Sequence, residues 1–289
     1  MPNASETSVQ LLPCTVHLPT SSRWPAAICG ALALLLAVSV QSRLFAQSAG
    51  AATPQRLSSA ELIAEGDRES STWHGLAALE RYEAAIQLDP RDYAALWKAS
   101  REAVDLGEFD TQVARRTVLY AKATDYAKRA VAIKPNDADA HFHLARALGR
   151  TALALGARER VKYAIEIRTE ALRTLDLQPR NAGALHIMGV WNAEIMRLSS
   201  IQRIFARTFM GGQIFGTASW AEATRYMEQA VSIEPLRLVH RLDLARVYRD
   251  CDRRAQARVA YQAAIKSAAA DPNDDIYRKS AEQELTNLR

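Results

Sequence analysis

Four residues, Ala78, Tyr82, Ala85 and Pro90, set a spacing of four, three and five that the chain repeats. It returns at Ala123, Ala127, Ala130 and Pro135, and again at Ala223, Met227, Ala230 and Pro235. Ala257, Tyr261 and Ala264 keep it with the proline delayed to Pro272, and Ile167, Ala171, Thr174 and Pro179 form a degenerate copy. Residues three and four apart share one helix face. Small residues there let a neighbouring helix approach closely, and the larger one fills the gap. Proline then stops the helix. Asp92, Asn136 and Asn181 follow the prolines, suited to the turn and the next N-cap. Such a pattern predicts an all-α stack of helical hairpins.

The repeated segment resembles the second helix of a tetratricopeptide (TPR) unit. First helices align with it: Leu62 and Gly66 in unit one, Leu96, Ala99, Ser100, Ala103, Leu106 and Gly107 in unit two. Leu144, Ala145 and Leu148 fit unit three, Met188, Gly189 and Asn192 unit four, and Leu244, Ala245 and Tyr248 unit five. The fold class expected is therefore a TPR-like α-α superhelix of about five hairpins. The proline-to-proline steps are 45, 44, 56 and 37 residues, against about 34 for an ordinary unit. Units two and four thus carry 11 and 22 extra residues. Eleven residues make roughly three helical turns, so a lengthened second helix keeps its buried face in phase. Thr111 to Ile133, free of Gly and Pro, suits that in unit two. Unit four contains Gly211, Gly212 and Gly216, which predict a helix, a break and a resumed helix.

The first fifty residues follow another pattern. Arg23 precedes an apolar run from Trp24 to Val40, and Leu44, Phe45 and Ala46 supply a small-residue cleavage motif. This is the layout of a secretory signal peptide over residues 1–46, cleaved after Ala46, with residues 47–56 as a flexible leader and 57–289 as the repeat domain. The expected product is exported, periplasmic and soluble. The alternative is an N-terminal membrane anchor, for which the run is short against about 20 apolar residues. Cleavage removes Arg23, Arg43 and Glu6, leaving 35 basic against 31 acidic residues and one cysteine, Cys251. No intramolecular disulfide can then form, so stability rests on helix packing. So small a basic excess, outside the cell, gives no case for nucleic acid as partner.

Local signatures sharpen the resemblance. Leu96-Trp97-Lys98-Ala99-Ser100-Arg101, Tyr126-Ala127-Lys128-Arg129-Ala130, and His186, Met188, Gly189 and Trp191 followed by Gln202-Arg203 occur in order, and Ala230 and Pro235 close the long unit. Together they resemble the regulator of microtubule dynamics family across about Trp73 to Pro272. That resemblance implies a TPR-like superhelix whose role is association rather than catalysis. Binding to microtubules does not follow for an exported chain.

Chemistry-bearing motifs are sparse. No phosphate-cradling glycine loop or Gly-x-Ser-x-Gly elbow occurs, and no cofactor is implied. His141 and His143, two apart on a helix, point to different sides, and no partner has metal-ligand spacing. His186 reads as a packed or groove-lining residue. The chain is expected not to be an enzyme.

The TPR resemblance implies that positions 2, 5, 9, 12 and 13 of each first helix face the concave surface. In this chain these are Trp97, Arg101 and Val104; Asp139, Phe142, Arg146 and Arg150; His186, Val190 and Glu194; and Leu242, Arg246 and Arg249. The candidate ligand-binding set is Trp97, Arg101, Phe142, Arg146, Arg150, His186, Val190, Arg246 and Arg249. Arginine recurs at position 9, and its planar fork suits carboxylate or phosphate. A partner protein or peptide in this groove is the leading expectation. An acidic amphiphile such as a phospholipid is the alternative, and ion pairing to neighbouring acids is the bland reading of the same arginines. In the unit-four insert, Leu198, Ile201, Ile204, Phe205 and Phe209 recur at helical spacing with Arg203 and Arg207 elsewhere on the wheel. That helix is expected to cap the core, with an apolar cavity or a membrane surface as alternatives.

Overall fold

Polar side chains start the helices where the sequence places them. The computed structural model describes residues 57–155, 157–209 and 212–288. The expected signal peptide and leader lie outside these residues. Helix α1 (Ser59–Ser71) opens with a capping box between Ser58 and Glu61, and pairs with α2 (Gly75–Leu88). Asp92 caps α3 (Tyr93–Glu108) through the Ala95 N–H, at 3.1 Å. Its hairpin partner is α4 (Val113–Ile133). Asp137, not Asn136, caps α5 (Ala138–Leu153), while Asn136 accepts a bond from Arg173 at 2.7 Å. The correction has a simple cause: the cap must directly precede the first helical residue. Helix α6 (Ala157–Leu177) completes unit three.

Asn181 caps α7 (Ala182–Arg197), the first helix of unit four. There the chain breaks as expected, into α8 (Ser200–Phe209) and a 3₁₀ helix (Gly212–Thr217), before α9 (Trp220–Ile233) resumes and packs on α7. Helices α10 (Leu238–Asp250) and α11 (Arg254–Lys266) form unit five, and α12 (Asp274–Thr286) follows alone. The described elements are helical, and the protein is an all-α TPR-like solenoid. None of the described helices is long and apolar enough to cross a membrane.

The repeat spacing is the core. Ala78, Tyr82, Ala85, Ala123, Ala127, Ala130, Ala171, Thr174, Ala223, Met227, Ala230, Ala257, Tyr261 and Ala264 are all fully buried. Extra length in unit two goes where the phase argument puts it, α4 being 21 residues against 14 for α2 and α9; α6 of unit three is also 21 residues, a lengthening that argument does not assign. A Cβ built on Gly107 would stand 2.7 Å from Tyr120, so the lengthened part of α4 supplies its own bulky residue to meet the first helix.

Gly189 is where the two helices of unit four approach closely. A Cβ there would lie 2.7 Å from Cγ and 3.0 Å from Sδ of Met227, inside contact distance. Gly189→Ala is therefore expected to destabilise the protein by about 1–3 kcal/mol, the usual cost of overpacking, seen as a lower urea midpoint at unchanged slope. Gly189→Ala combined with Met227→Ala should cost less than the sum of the two single changes, since the added methyl then fills part of the space the methionine leaves.

The heptad His186–Asn192 is a fastening point. Met188 and Trp191 are buried, and the Trp191 indole donates to the Ala164 carbonyl at 2.8 Å, tying α7 to α6. Phe215 of the 3₁₀ helix stacks on the other side of that ring system, with centroids 6.3 Å apart and planes 11° apart. Asn192 accepts from the Ser219 N–H at 3.2 Å, just where α9 begins. Capping of the core is thus carried by Phe215. Of the stripe expected to cap it, Leu198 is half-buried but Ile201 is 81% exposed and Ile204 is exposed too. The side chains of Phe205, Arg207 and Phe209 lie outside the described residues.

One contact joins elements far apart in sequence. Tyr277 of α12 donates its hydroxyl to Glu108 at the end of α3 and meets Phe109 edge-on at 5.2 Å. Asn273 reaches the Asp105 carbonyl at 3.4 Å. Unit two and the last helix therefore grip each other across the inner face.

Candidate functional site

First helices α3, α5, α7 and α10 turn their inner faces to one concave chamber of about 1610 Å³. Trp97, Arg101, Phe142, Arg146, Arg150, His186, Val190, Arg246 and Arg249 all line it, as do Asp139 and Glu194. Val104 and Leu242 do not: both are fully buried and pack in the helix core. Position in the repeat and apolar character compete at these two places, and core packing wins because β-branched and aliphatic side chains gain most from full burial.

An aromatic wall runs across units two and three. Trp97 stacks on His143 with centroids 5.1 Å apart and planes 18° apart, and Phe142 flanks that imidazole at 5.0 Å. Arg101 lies over the Trp97 ring at 5.5 Å. The backbone of unit four makes room, since a Cβ on Gly183 would stand 2.4 Å from the Phe142 ring.

The arginines converge, but each candidate already holds an acid. Arg101 donates to Glu102 and Ser70, both at 2.8 Å. Arg146 pairs with Asp105, and Arg150 with Glu108 at 2.5 Å. Arg246 bridges Glu284 at 2.6 Å and Asp243 at 2.9 Å. Arg249 meets Glu284 at 2.8 Å and Asp250 at 2.9 Å. Among the described residues, ten arginines and eight carboxylates line the chamber, and no lysine does. Arg180 alone among those ten has no ionic partner within the described residues. The wall is a near-neutral lattice of paired charges.

Histidines add further polar groups. His186 donates to Asp243 at 2.8 Å, and its ring lies 4.8 Å from that of His240. Burial would raise the Asp243 carboxyl, but the bond from His186 and the nearby Arg246 hold it well below the usual carboxylate range. Burial pushes His240 down to about 2, helped by His186 and Arg237. Burial likewise drives His143 well below the ordinary imidazole value, with Arg146 and Arg101 adding to it. His141 turns instead to Glu170 and the Pro135 carbonyl, so the two histidines of that stretch face different neighbours. No cluster of three or more metal-ligating side chains occurs among the described residues.

Several lining residues escape a reading by repeat position. Trp73, Arg160, Arg180, Arg197 and Tyr277 come from helix ends, turns and the lone last helix. Arg197 carried a weak signal, three and seven residues beyond Glu194 and Val190 on one face. Tyr277 carried none.

A solenoid of TPR-like hairpins around a concave chamber is a helical-repeat architecture. The chain belongs to the family described as regulator of microtubule dynamics protein 1-3, whose model matches residues 57–289. Its similarity to regulator of microtubule dynamics protein 1 of Mus musculus is 26% identity over 156 residues, covering 53% of this chain and 50% of that one. For the Bos taurus protein of the same name it is 24% over 151 residues, covering 51% and 46%. The chain thus spans about half the length of the curated relatives it matches. Among solved structures it resembles a thermophilic TPR protein of Thermus thermophilus, with TM-score 0.56 and 21% identity, over 78% of this chain and 100% of that one. That likeness establishes the fold.

Proposed function

We propose that this chain is an exported, non-catalytic binding protein that holds a partner protein or peptide segment in its concave chamber. The observation that carries the reading is convergence: nine side chains chosen by repeat position, from four separate hairpins, line one cavity. Concave faces of solenoids are their usual binding surfaces. Charge-paired arginines beside Trp97 and Phe142 offer hydrogen bonds and aromatic surface with little net field. Export rests on the Arg23, Trp24–Val40 and Ala46 pattern, with 1–46 as the removed segment and 57–289 as the binding domain. The relatives' names speak of microtubule dynamics, and an exported chain would not meet microtubules, so that role is not carried over.

A carrier of an acidic amphiphile is the second reading, favoured by Arg180 on the chamber wall. It is the weaker one, because the other nine lining arginines are already matched by carboxylates. Native mass spectrometry after mild purification separates the two. A clean apo mass, together with peptides selected from a random display library that lose affinity in Trp97→Ala and Phe142→Ala, is the expected result. Co-purified lipid at one per chain would turn the assignment to the carrier.

A further inference from the structure

Helix α1 ends in a way that costs stability. Trp73 has φ 65°, the left-handed region. The Trp73 N–H donates to Ser70 O at 3.0 Å and the His74 N–H to Glu69 O at 2.9 Å, the two bonds of a Schellman closure. Glycine normally fills that position because a Cβ is disfavoured there. Helix α10 ends with the same two bonds, but at Asp252, φ 57°, a residue type that tolerates the conformation. A bulky aromatic at positive φ is a true outlier. Nor does core packing repay it, since Trp73 is 53% exposed.

What the indole does have is position. Trp73 lines the chamber beside Gly75, Leu106 and Phe109, at the edge where the first helices end. Leu153, at the end of α5, is also on that edge and partly exposed. Strained and exposed residues at a cavity mark ligand contacts, and tryptophan is the residue most enriched among energetic anchors of interfaces. The paired arginines decide the chemistry of the occupant. With the charge of nine of the ten lining arginines spent on neighbouring acids, the wall suits a segment of low charge whose large apolar side chain rests on this edge.

We infer that Trp73 is a ligand-contacting anchor of the chamber, seating a large apolar side chain of a bound peptide. This rests on the peptide reading above. The test selects random twelve-residue peptides displayed on phage against the full chain, then measures the tightest synthetic peptide on the wild type, Trp73→Gly and Trp73→Phe. Selected peptides should share a large apolar residue. Trp73→Gly should weaken binding at least tenfold while its melting temperature holds or rises, because glycine relieves the strained turn. Trp73→Phe should keep part of the affinity. Affinity of Trp73→Gly within twofold of wild type overturns the anchor and leaves the peptide reading standing. Lost affinity with a lowered melting temperature also overturns it, since the indole is then structural. If no peptide is selected on the wild type, the peptide reading itself falls and the anchor with it.

Discussion

Acidifying the protein from pH 7 to pH 5 should lower its unfolding free energy, with about 2 kcal/mol lost from His240 and a further loss of the same sign from His143. His143 is 6% and His240 3% exposed, and both are held neutral, His240 down to about 2. Unfolding frees each imidazole to titrate near its ordinary value of about 6.5. Below that pH the unfolded chain binds protons that the folded chain refuses, so the unfolded state gains. The contribution is therefore complete above about pH 6.5 and is lost as pH falls. Asp243 and Glu284 act in the same direction, but as depressed carboxyls they lose their contribution only below about pH 4, outside this window. Urea titrations at half-unit steps should show the slope, and His143→Gln with His240→Gln should flatten it. A profile level between pH 7 and pH 5 would show that water reaches both rings.

Replacing Tyr277 by alanine should cost about 3–5 kcal/mol, the usual range for deleting a buried aromatic. The ring is 8% exposed and fills the gap against Phe109, and its hydroxyl answers Glu108, which also serves Arg150. Glu108 has little access to water, so losing a donor leaves its charge under-satisfied. Tyr277→Phe isolates that part and should cost about 1.5–3 kcal/mol, as bonds to charged groups do. Hydrogen exchange gives the more telling result. Amides of α12 and of the last turn of α3 should lose protection together, while those of α2 keep theirs. Faster exchange in α12 alone would mean that the contact with unit two contributes no stability.

How much of this could be read from the chain follows from the range of each interaction. Ala78, Tyr82 and Ala85 declare their burial because a helix face repeats every few residues, and the same holds for the 21-residue α4, whose insertion preserves phase. Convergence of Arg101, Arg146 and Arg246 was legible for the same reason. Glu102 and Asp243 lie close in sequence to Arg101 and Arg246, but the longer pairings were not legible, since Asp105 and Arg146 are 41 residues apart, and Arg246 and Glu284 38. Asp105 sits on the preceding hairpin and Glu284 on the lone last helix, at positions the repeat leaves free to vary. The strain at Trp73 is invisible for a different reason: the turn is set by two backbone bonds that glycine would make equally well.

Tyr277 and Glu108 are 169 residues apart, and that separation has a temporal meaning. On a ribosome, or behind a translocation pore, the hairpins can stack one by one as they emerge, each needing only its predecessor. The chamber cannot be completed on that schedule. Its last wall arrives with α12, long after α3 has folded, so the inner surface stays open to solvent and chaperones until synthesis has nearly passed the domain. Completion of the chamber wall is thus a late event, set by chain order rather than by local folding speed.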